Sequence, residues 1–183
     1  MKKKEITLGS VIVMILLLVL YFVLPGQEQG QVPTDLLAQI PAYSGDPFAV
    51  LNGNIPLFTE EDYTTRSYEY YEDLDALNRC TYTIACIGQD LMPTEDRESI
   101  SSVKPSGWVQ NKYDFVDGKS LYNRCHLLGW QLSAENANPK NLITGTRSFN
   151  VDGMLPFENM VAELLAMTEG DSQLLLRRAL MNS

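Results

Sequence analysis

The chain has 183 residues, of which 45% are hydrophobic, and its formal net charge is −9 at pH 7. A chain of this length is expected to fold as one domain with an appendage rather than as two domains. The acidic total argues against a protein that binds nucleic acid by bulk charge, because that class is usually basic. Any contact with a polyanion would have to depend on a local concentration of basic residues.

The N-terminal end combines three lysines, at positions 2–4, with an uncharged stretch from Ile6 to Leu24. As a helix this stretch would span about 28 Å, close to the thickness of the bilayer core. The pattern predicts a transmembrane signal anchor at residues 1–24, with the lysines in the cytoplasm and the rest of the chain outside the cell. A cleaved signal peptide, which would leave the domain secreted, is the alternative. The run is long for that, and no small-x-small site follows it.

The composition changes after the apolar stretch. Residues 25–48 are rich in Gly, Gln, Pro, Ser and Asp, which favours a flexible linker with little structure of its own. The folded domain is therefore expected to occupy residues 49–183, on the outer side of the membrane.

Two segments early in this domain are typical of strands. Tyr68 and Tyr70 alternate along the first, and residues 80–87 form a second run of Thr, Tyr, Ile, Ala and Cys. The residues that supply turn chemistry between them are Asp73, Asp75 and Asn78. Further strands are expected over residues 121–127 and 141–144.

The pattern then becomes helical. Apolar residues recur at spacings of three and four, which predicts a helix that buries one face; they are Phe157, Met160, Val161, Leu164 and Leu165. Pro156 fits the first helical position and makes one straight helix from residue 150 onwards improbable, so a kink or two helical pieces are expected. Strands followed by a helix predict an α+β fold with antiparallel strands.

Charge is distributed unevenly along the domain. Residues 60–96 contain ten acidic and two basic residues, whereas residues 97–150 contain seven basic and four acidic residues. The second region is therefore the one suited to phosphate groups. The alternative, an ordinary solvated surface on both halves, stays open at this point.

The only histidine of the chain is His126. Arg124 lies two positions earlier, so on a strand both side chains would leave the same face. A base and a phosphate-binding cation on one face are a suitable start for hydrolysis of a phosphodiester bond.

The residues around this histidine carry a resemblance. The segment Tyr122-Asn123-Arg124-Cys125-His126-Leu127 resembles the Asp-Arg-Gly-His signature of the non-specific DNA/RNA endonucleases with a ββα-metal site. The downstream segment Asn141-Leu142-Ile143-Thr144, then Asn150 and Glu158, is similar to the asparagine–glutamate pattern of that family. Two further segments resemble the DNA-entry nuclease branch of that family, and they are Pro105-Ser106-Gly107-Trp108 and Asn138-Pro139-Lys140-Asn141. The resemblance covers residues 68–167 and implies a ββα-metal nuclease core.

The resemblance also implies a role for each matching residue. His126 would be the general base that deprotonates the attacking water, and Arg124 would steady the charge of the pentacoordinate phosphate. Asn150 would be the one protein ligand of Mg²⁺, with Mn²⁺ as an alternative, and Glu158 would hold a metal-bound water. Asn141 would support the site through its side-chain amide. A hydrated Mg²⁺ with few protein ligands is chemically reasonable, because the ion keeps most of its waters.

The expected substrate is DNA, with RNA as a second candidate. Lys140 and Arg147, together with Arg124, are the candidate substrate-binding cations. Two signature positions differ from the family, because Asn123 stands in place of Asp and Cys125 in place of Gly; Asn123 is retained as a supporting residue. The chain is expected to be shortened at its C-terminal end, although residues 173–176 begin like a strand.

Three functions other than an active nuclease stay open. The first two are a surface protein that binds or takes up DNA without cutting it, and an inactive, shortened nuclease. The third is a thiol hydrolase that uses Cys125 and His126, although adjacent strand residues point to opposite faces. Asn150 as a plain turn residue and Glu158 as a helix-dipole residue are the structural alternatives.

The three cysteines are Cys80, Cys86 and Cys125. An odd number leaves at least one free thiol, while Cys80 and Cys86 are either bridged or both free. Their spacing matches no structural zinc motif.

Overall fold

A computed structural model describes residues 38–167 and the backbone of residues 174–179. The predicted membrane anchor at residues 1–24 and most of the predicted linker lie outside these residues. Among the described residues, no helix has the length and the apolar character needed to cross a bilayer.

The first sheet has three strands, and β2 lies in its centre. β1 (Tyr68–Tyr71) and β2 (Tyr82–Ile87) are antiparallel, with Tyr68 opposite Cys86. The strand β5 (Leu174–Ala179) pairs with the other edge of β2, also antiparallel. Every residue of β2 is buried, as expected of a strand with neighbours on both sides and cover on both faces. The two early strands that the sequence predicted are confirmed.

The turn between β1 and β2 is organised by one carboxylate. Asp75 Oδ1 accepts hydrogen bonds from the backbone N–H groups of Leu77 and Arg79, and its Oδ2 pairs with the Arg79 guanidinium at 2.7 Å. These bonds, the backbone N–H of Arg79 first, hold the pKa of Asp75 below its ordinary value. Asn78 takes a left-handed conformation with φ 56°. The predicted turn chemistry is therefore present.

The second sheet is a hairpin of β3 (Tyr122–His126) and β4 (Leu142–Thr146), in which His126 lies opposite Leu142. The connection between the two strands contains the short helix α1 (Trp130–Ser133) and a 3₁₀ turn, Pro139–Asn141. This connection returns the chain to the end of β3 at which the histidine lies.

A π-helical segment, Phe149–Met154, follows β4 and leads directly into α2 (Leu155–Met167). The expectation of two helical pieces around Pro156 is confirmed. The expectation that all five apolar residues of the periodic run are buried is wrong. Phe157, Met160 and Leu164 are 39%, 57% and 45% exposed, whereas Leu165 is fully buried. Residues at spacings of three and four lie on two adjacent stripes of α2. Within the part of the chain that the structure describes, neighbouring elements bury only one of these stripes.

The core joins the first sheet to the end of β3. Its buried members come from β2, from the residues that follow β3, and from both helices; they are Ala85, Ile87, Leu128, Leu132 and Leu165. His126, at the end of β3, therefore lies two residues before a member of this core, Leu128.

All three cysteines are free and buried, so Cys80 and Cys86 form no disulfide. The Sγ of Cys80 lies 3.3 Å from the carbonyl oxygens of both Pro139 and Leu142. This thiol therefore links the segment just before β2 to the 3₁₀ turn and the first residue of β4.

Candidate active site

His126 ends β3, and its ring is buried. Nε2 of the ring lies 2.8 Å from the carbonyl oxygen of Asn136. A carbonyl oxygen only accepts hydrogen bonds, so Nε2 carries the proton of the neutral ring. Nδ1 is then the nitrogen with the lone pair, and it is the one able to take a proton from another molecule.

Burial lowers the pKa of His126 below its ordinary value. The hydrogen bond to Asn136 acts in the opposite direction, and the positive charge of Arg97 lowers the pKa further. The imidazole is therefore neutral near pH 7, which is the state that a general base requires.

Arg97 is the cation beside this base, and it was not among the site residues predicted from the sequence. Its Nη2 lies 3.5 Å from Nδ1 of His126, and the residue is otherwise exposed to solvent. The only signal in the sequence was that Arg97 is the first of the seven basic residues in the basic region. It belongs to a long loop without a motif, so spacing alone could not place it.

Arg124 has a different environment from the one expected for a residue that binds the substrate. Its guanidinium donates from Nε to the carbonyl oxygen of Val103 and from Nη2 to that of Ser101, and it lies 3.9 Å above the ring of Trp108. Arg124 thus holds the loop of residues 101–108, which continues from the segment that carries Arg97.

Asn141 fixes the backbone immediately after His126. Its side-chain Oδ1 accepts from the N–H of Leu128 at 2.8 Å, and its Nδ2 donates to the carbonyl of Leu128 at 3.0 Å. Its own carbonyl accepts from the N–H of Leu127, and the whole residue is 0% exposed. A buried amide that uses both its oxygen and its nitrogen on the backbone of one residue defines one backbone path.

Glu158 reaches the same end of the hairpin from α2. A Cβ built on Gly129 would lie 2.8 Å from Oε2 of Glu158 and 2.9 Å from its carboxyl carbon. Glycine is therefore required at position 129 for the carboxylate to occupy this place, three residues after His126. Gln131 and Asn159 join α1 and α2 beside it, with Nε2 and Oδ1 3.0 Å apart.

Asn150 lies in the π-helical segment and is half-buried. Its backbone carbonyl accepts the N–H of Leu155, which is the i to i+5 bond of a π-helix. Within the described residues, no group of three or more His, Cys, Asp or Glu side chains is placed to hold a metal ion. The two candidate donors from the sequence are the amide oxygen of Asn150 and the carboxylate of Glu158. These hard oxygen donors, completed by water, suit Mg²⁺ or Mn²⁺.

The other two candidate cations are engaged with carboxylates on the surface. Lys140 pairs with Asp73, and Arg147 pairs with Asp117 through two N–H groups at 2.8 and 3.1 Å. Asn123 is the second residue of β3 and lies opposite Gly145.

Cys125 occupies the face of β3 that is opposite to His126 and is fully buried. A Cβ on Gly145 would lie only 2.7 Å from Sγ of Cys125, so the absence of a side chain on β4 leaves room for this thiol. A sulfur that a substrate cannot reach is a poor nucleophile, and the thiol-hydrolase alternative has no geometric support.

Comparison with known proteins supports the arrangement of these elements. The family model described as DNA/RNA non-specific endonuclease matches residues 59–173. The crystal structure of NucA from Streptococcus agalactiae with magnesium ion bound aligns with a TM-score of 0.54 and 18% sequence identity, over 70% of this chain and 71% of that chain. The structure of NucA from the same organism with no metal bound aligns with a TM-score of 0.53 and 17% identity, over 70% of this chain and 72% of that chain.

No curated protein sequence matches the chain. The structural likeness establishes a common fold of strands and helices, and the family model spans more than half of the residues. The chain belongs to the DNA/RNA non-specific endonuclease family.

Proposed function

We propose that this protein is a metal-dependent endonuclease that hydrolyses phosphodiester bonds of DNA without sequence preference, with RNA as a second substrate. The observation that carries the proposal is the state of His126. Its Nε2 donates to the carbonyl of Asn136, so Nδ1 carries the lone pair of the neutral ring, and Nη2 of Arg97 lies 3.5 Å from that nitrogen.

In the proposed reaction, Nδ1 of His126 takes a proton from a water molecule. The water oxygen forms a bond to phosphorus, the bond between phosphorus and the leaving oxygen breaks, and the leaving oxygen takes a proton from solvent. Transfer of the proton to a positioned base of suitable pKa contributes on the order of 10²–10⁴-fold to the rate. The proton then returns to solvent from an imidazolium whose pKa is lowered by burial and by Arg97.

Arg97 is proposed to bind the scissile phosphate, because it is the guanidinium that contacts the ring of the base. Arg124 is proposed to act on the same phosphate mainly through the loop that it holds. Lys140 and Arg147 would bind the flanking backbone. Their partners Asp73 and Asp117 are largely exposed, and exposed ion pairs contribute so little that phosphates can replace them.

Asn150 and Glu158 are the residues that would hold the ion. When bound there, Mg²⁺ or Mn²⁺ would stabilise the negative charge that develops on the phosphate and the leaving oxygen. The proposal is supported by the oxygen donors of the two side chains and by the glycine that makes room for the Glu158 carboxylate. The Streptococcus nuclease of the same fold has a magnesium ion bound.

We also propose that residues 6–24 anchor the domain to the cell membrane as a single-pass segment, with the domain outside. The support is the uncharged run that follows three lysines. Protease treatment of intact cells should remove the domain and leave cytoplasmic markers untouched. Full protection of the domain in intact cells, with digestion only after lysis, would contradict this location.

The activity itself is tested with plasmid DNA, using the wild-type chain and the variant His126→Ala, each with Mg²⁺ and with a chelator. We expect the wild type to nick and linearise the plasmid only with the metal, and the variant to lose nearly all cleavage. Cys125→Ser is the matched control at the neighbouring position and should keep its activity. Equal cleavage by wild type and His126→Ala would remove the histidine from the mechanism. Binding of DNA without cleavage by the wild type would favour the non-catalytic role.

A further inference from the structure

The turn that follows α1 supplies the hydrogen-bond partner of the base. α1 ends at Ser133, and the carbonyl oxygen of Asn136, three residues later, lies 2.8 Å from Nε2 of His126. The place of the histidine on β3 does not by itself orient the imidazole, because the side chain can rotate between several staggered states. The orientation and the tautomer of the ring therefore depend on what holds the Asn136 carbonyl in place.

The Asn136 carbonyl is fixed through the backbone that leads to it. Within the part of the chain that the structure describes, the side-chain Oδ1 of Asn136 is buried and accepts no hydrogen bond, so this oxygen does not hold the residue. Ala134, two residues earlier, has a left-handed conformation with φ 55° and ψ 0°, and its N–H donates to the carbonyl of Trp130 at 2.9 Å. A residue with a Cβ takes this strained conformation only where neighbouring groups impose it.

Ser133 is the side chain that closes this turn. It is buried, and its Oγ accepts a hydrogen bond from the N–H of Glu135 at 3.4 Å. This is the contact with the backbone two residues on by which serine organises a turn. The same Oγ lies 3.5 Å from the carbonyl oxygen of Gly129, just before α1. One hydroxyl group thus joins the beginning of α1 to the residue that directly precedes Asn136.

A second hydrogen bond reaches Ser133 from the first sheet. The hydroxyl of Tyr71, on β1, is hydrogen-bonded to Ser133 and donates to Oε2 of Glu69 at 3.1 Å. This branch ties α1 to the framework, but it does not lie on the path from Ser133 to the Asn136 carbonyl. That path runs through residues 134 and 135. The two branches can therefore be removed separately, one at Ser133 and the other at Tyr71.

We propose that Ser133 is a positioning residue for the base, which holds the turn of residues 134–136 so that the Asn136 carbonyl meets Nε2 of His126. The inference rests on the proposed nuclease function, in which Nδ1 of the same ring takes the proton of the attacking water. Without the Ser133 hydroxyl, the turn loses the bond to Glu135 and the carbonyl spends time away from the ring. The imidazole then rotates more freely, and its lone pair is less often aligned with the water.

The test uses the ¹⁵N-labelled full chain, and its first readout is the exchange of the ring N–H of His126 with water. NMR follows this proton without overlap because the chain has one histidine. An N–H that is held by a carbonyl exchanges slowly, and one that is released exchanges quickly. The second readout is kcat on plasmid DNA with Mg²⁺, and urea unfolding gives the stability of each variant.

Three substitutions are made at Ser133. Ser133→Ala removes the hydroxyl, Ser133→Cys fills the same space with a weaker acceptor, and Ser133→Thr keeps the hydroxyl. Tyr71→Phe is the matched control, because it also removes a buried hydroxyl from this network but leaves the bond between Ser133 and Glu135 in place.

We expect Ser133→Ala to speed the exchange of the ring N–H by about fivefold or more, the effect of losing one hydrogen bond. Its kcat should fall by about tenfold, because a loosely oriented base loses part of its effective concentration. Ser133→Cys should change both quantities in the same direction, and Ser133→Thr should keep both near the wild-type values. Tyr71→Phe should be less stable than wild type and should keep the exchange rate and kcat.

An unchanged exchange rate in Ser133→Ala would overturn the proposal, as would an equal acceleration in Tyr71→Phe. If Ser133→Ala does not fold, Ser133→Cys decides between the same two results. A wild type that does not cleave DNA, together with faster exchange of the ring N–H in Ser133→Ala, would mean that the proposed function fails while the positioning of the ring stands. Cleavage by the wild type with unchanged exchange in the variant would mean the reverse.

Discussion

The two sheets of the domain are stabilised in different ways. In the first sheet every residue of β2 is buried, so the sheet is held by apolar packing against α1 and α2. In the hairpin of β3 and β4, the buried residues are Cys125 and His126 of β3 and Leu142 of β4. The backbone and loops around the hairpin are held instead by polar side chains, which are Asn141 and Arg124. The difference indicates a rigid apolar framework on one side and a polar site built on its edge.

Charge follows the same division. The acidic residues 60–96 contain β1 and β2, whereas the basic residues 97–150 contain the hairpin and its loops. An acidic chain can thus present a basic region to a polyanion, because nearby charges act more strongly than distant ones that salt screens. A substitution at the site beside the hairpin is therefore expected to lower activity, whereas one in β1 is expected to change stability alone. An effect of a β1 substitution on activity would contradict this distinction.

Apart from His126→Ala, the largest effect is expected for Arg97→Ala. Loss of the cation beside His126 should lower kcat on plasmid DNA by about 10²–10³-fold, the cost of removing one charge-stabilising donor. The free energy of unfolding should stay within about 0.5 kcal/mol of wild type, because the residue is exposed. Steady-state kinetics and urea unfolding give the two quantities.

Arg124→Ala is the matched control for this prediction. It removes two hydrogen bonds to carbonyl oxygens and the contact with Trp108, so unfolding should become easier by about 1–2 kcal/mol. A larger loss of kcat for Arg124→Ala than for Arg97→Ala, with unchanged stability, would show that Arg124 and not Arg97 binds the phosphate.

Asn141→Leu tests whether a polar side chain fixes the backbone beside the hairpin. It leaves the N–H and the carbonyl of Leu128 without their buried partner, and each unsatisfied group costs about 1–3 kcal/mol. Urea unfolding should show a total loss of about 2–4 kcal/mol. The control Asn138→Ala removes one cap bond to the Lys140 N–H and should cost about 1 kcal/mol. Equal losses for the two variants would mean that Asn141 has no special part in fixing the backbone.

Gly129→Ala tests the place of Glu158 without changing that residue. The new Cβ would meet the far end of a flexible side chain, so the carboxylate moves and the fold changes little. We expect kcat to fall by about tenfold, a cost typical of a displaced group around a metal. Glu158→Ala added to Gly129→Ala should cause little further loss, because both act on the same carboxylate. Fully additive losses would indicate that the two residues act independently.

The smallest effect concerns Glu69 on β1. Burial, opposed by a hydrogen bond from Tyr71 and assisted by the charge of Glu135, raises the pKa of Glu69 to about 7. The folded chain therefore keeps a proton that the unfolded chain loses above the ordinary value of 4.5, and stability falls as the pH rises through that window.

Glu69→Gln should remove this dependence. Urea unfolding at pH 5 and pH 8 should show the variant gaining on wild type by on the order of 1 kcal/mol at the higher pH, after allowance for solvent screening. Nuclease activity should change little, since β1 belongs to the framework. A parallel fall in stability of both proteins between the two pH values would contradict the assignment.

The elements that can be predicted from the sequence are those that depend on residue patterns within one short segment. Alternation and turn residues placed β1 and β2 around Asp75, and the family motif identified Asn141 before its two bonds to Leu128 were known. Arg97 and the carbonyl of Asn136 were not predictable, because each reaches His126 through a loop whose path depends on tertiary contacts. The buried face of α2 was overestimated for a related reason. Periodicity shows that a stripe is apolar, but the neighbouring elements decide whether it is covered.

The assignment of Nδ1 of His126 as the base is tested most directly by NMR, because the chain has one histidine. Long-range ¹H–¹⁵N NMR spectra of the full chain, recorded across a pH titration, report both the tautomer and the pKa of His126 without overlap. We expect a neutral ring protonated at Nε2, with a pKa below the ordinary value of 6.5. A ring protonated at Nδ1, or a pKa above 6.5, would contradict the assignment of Nδ1 as the base.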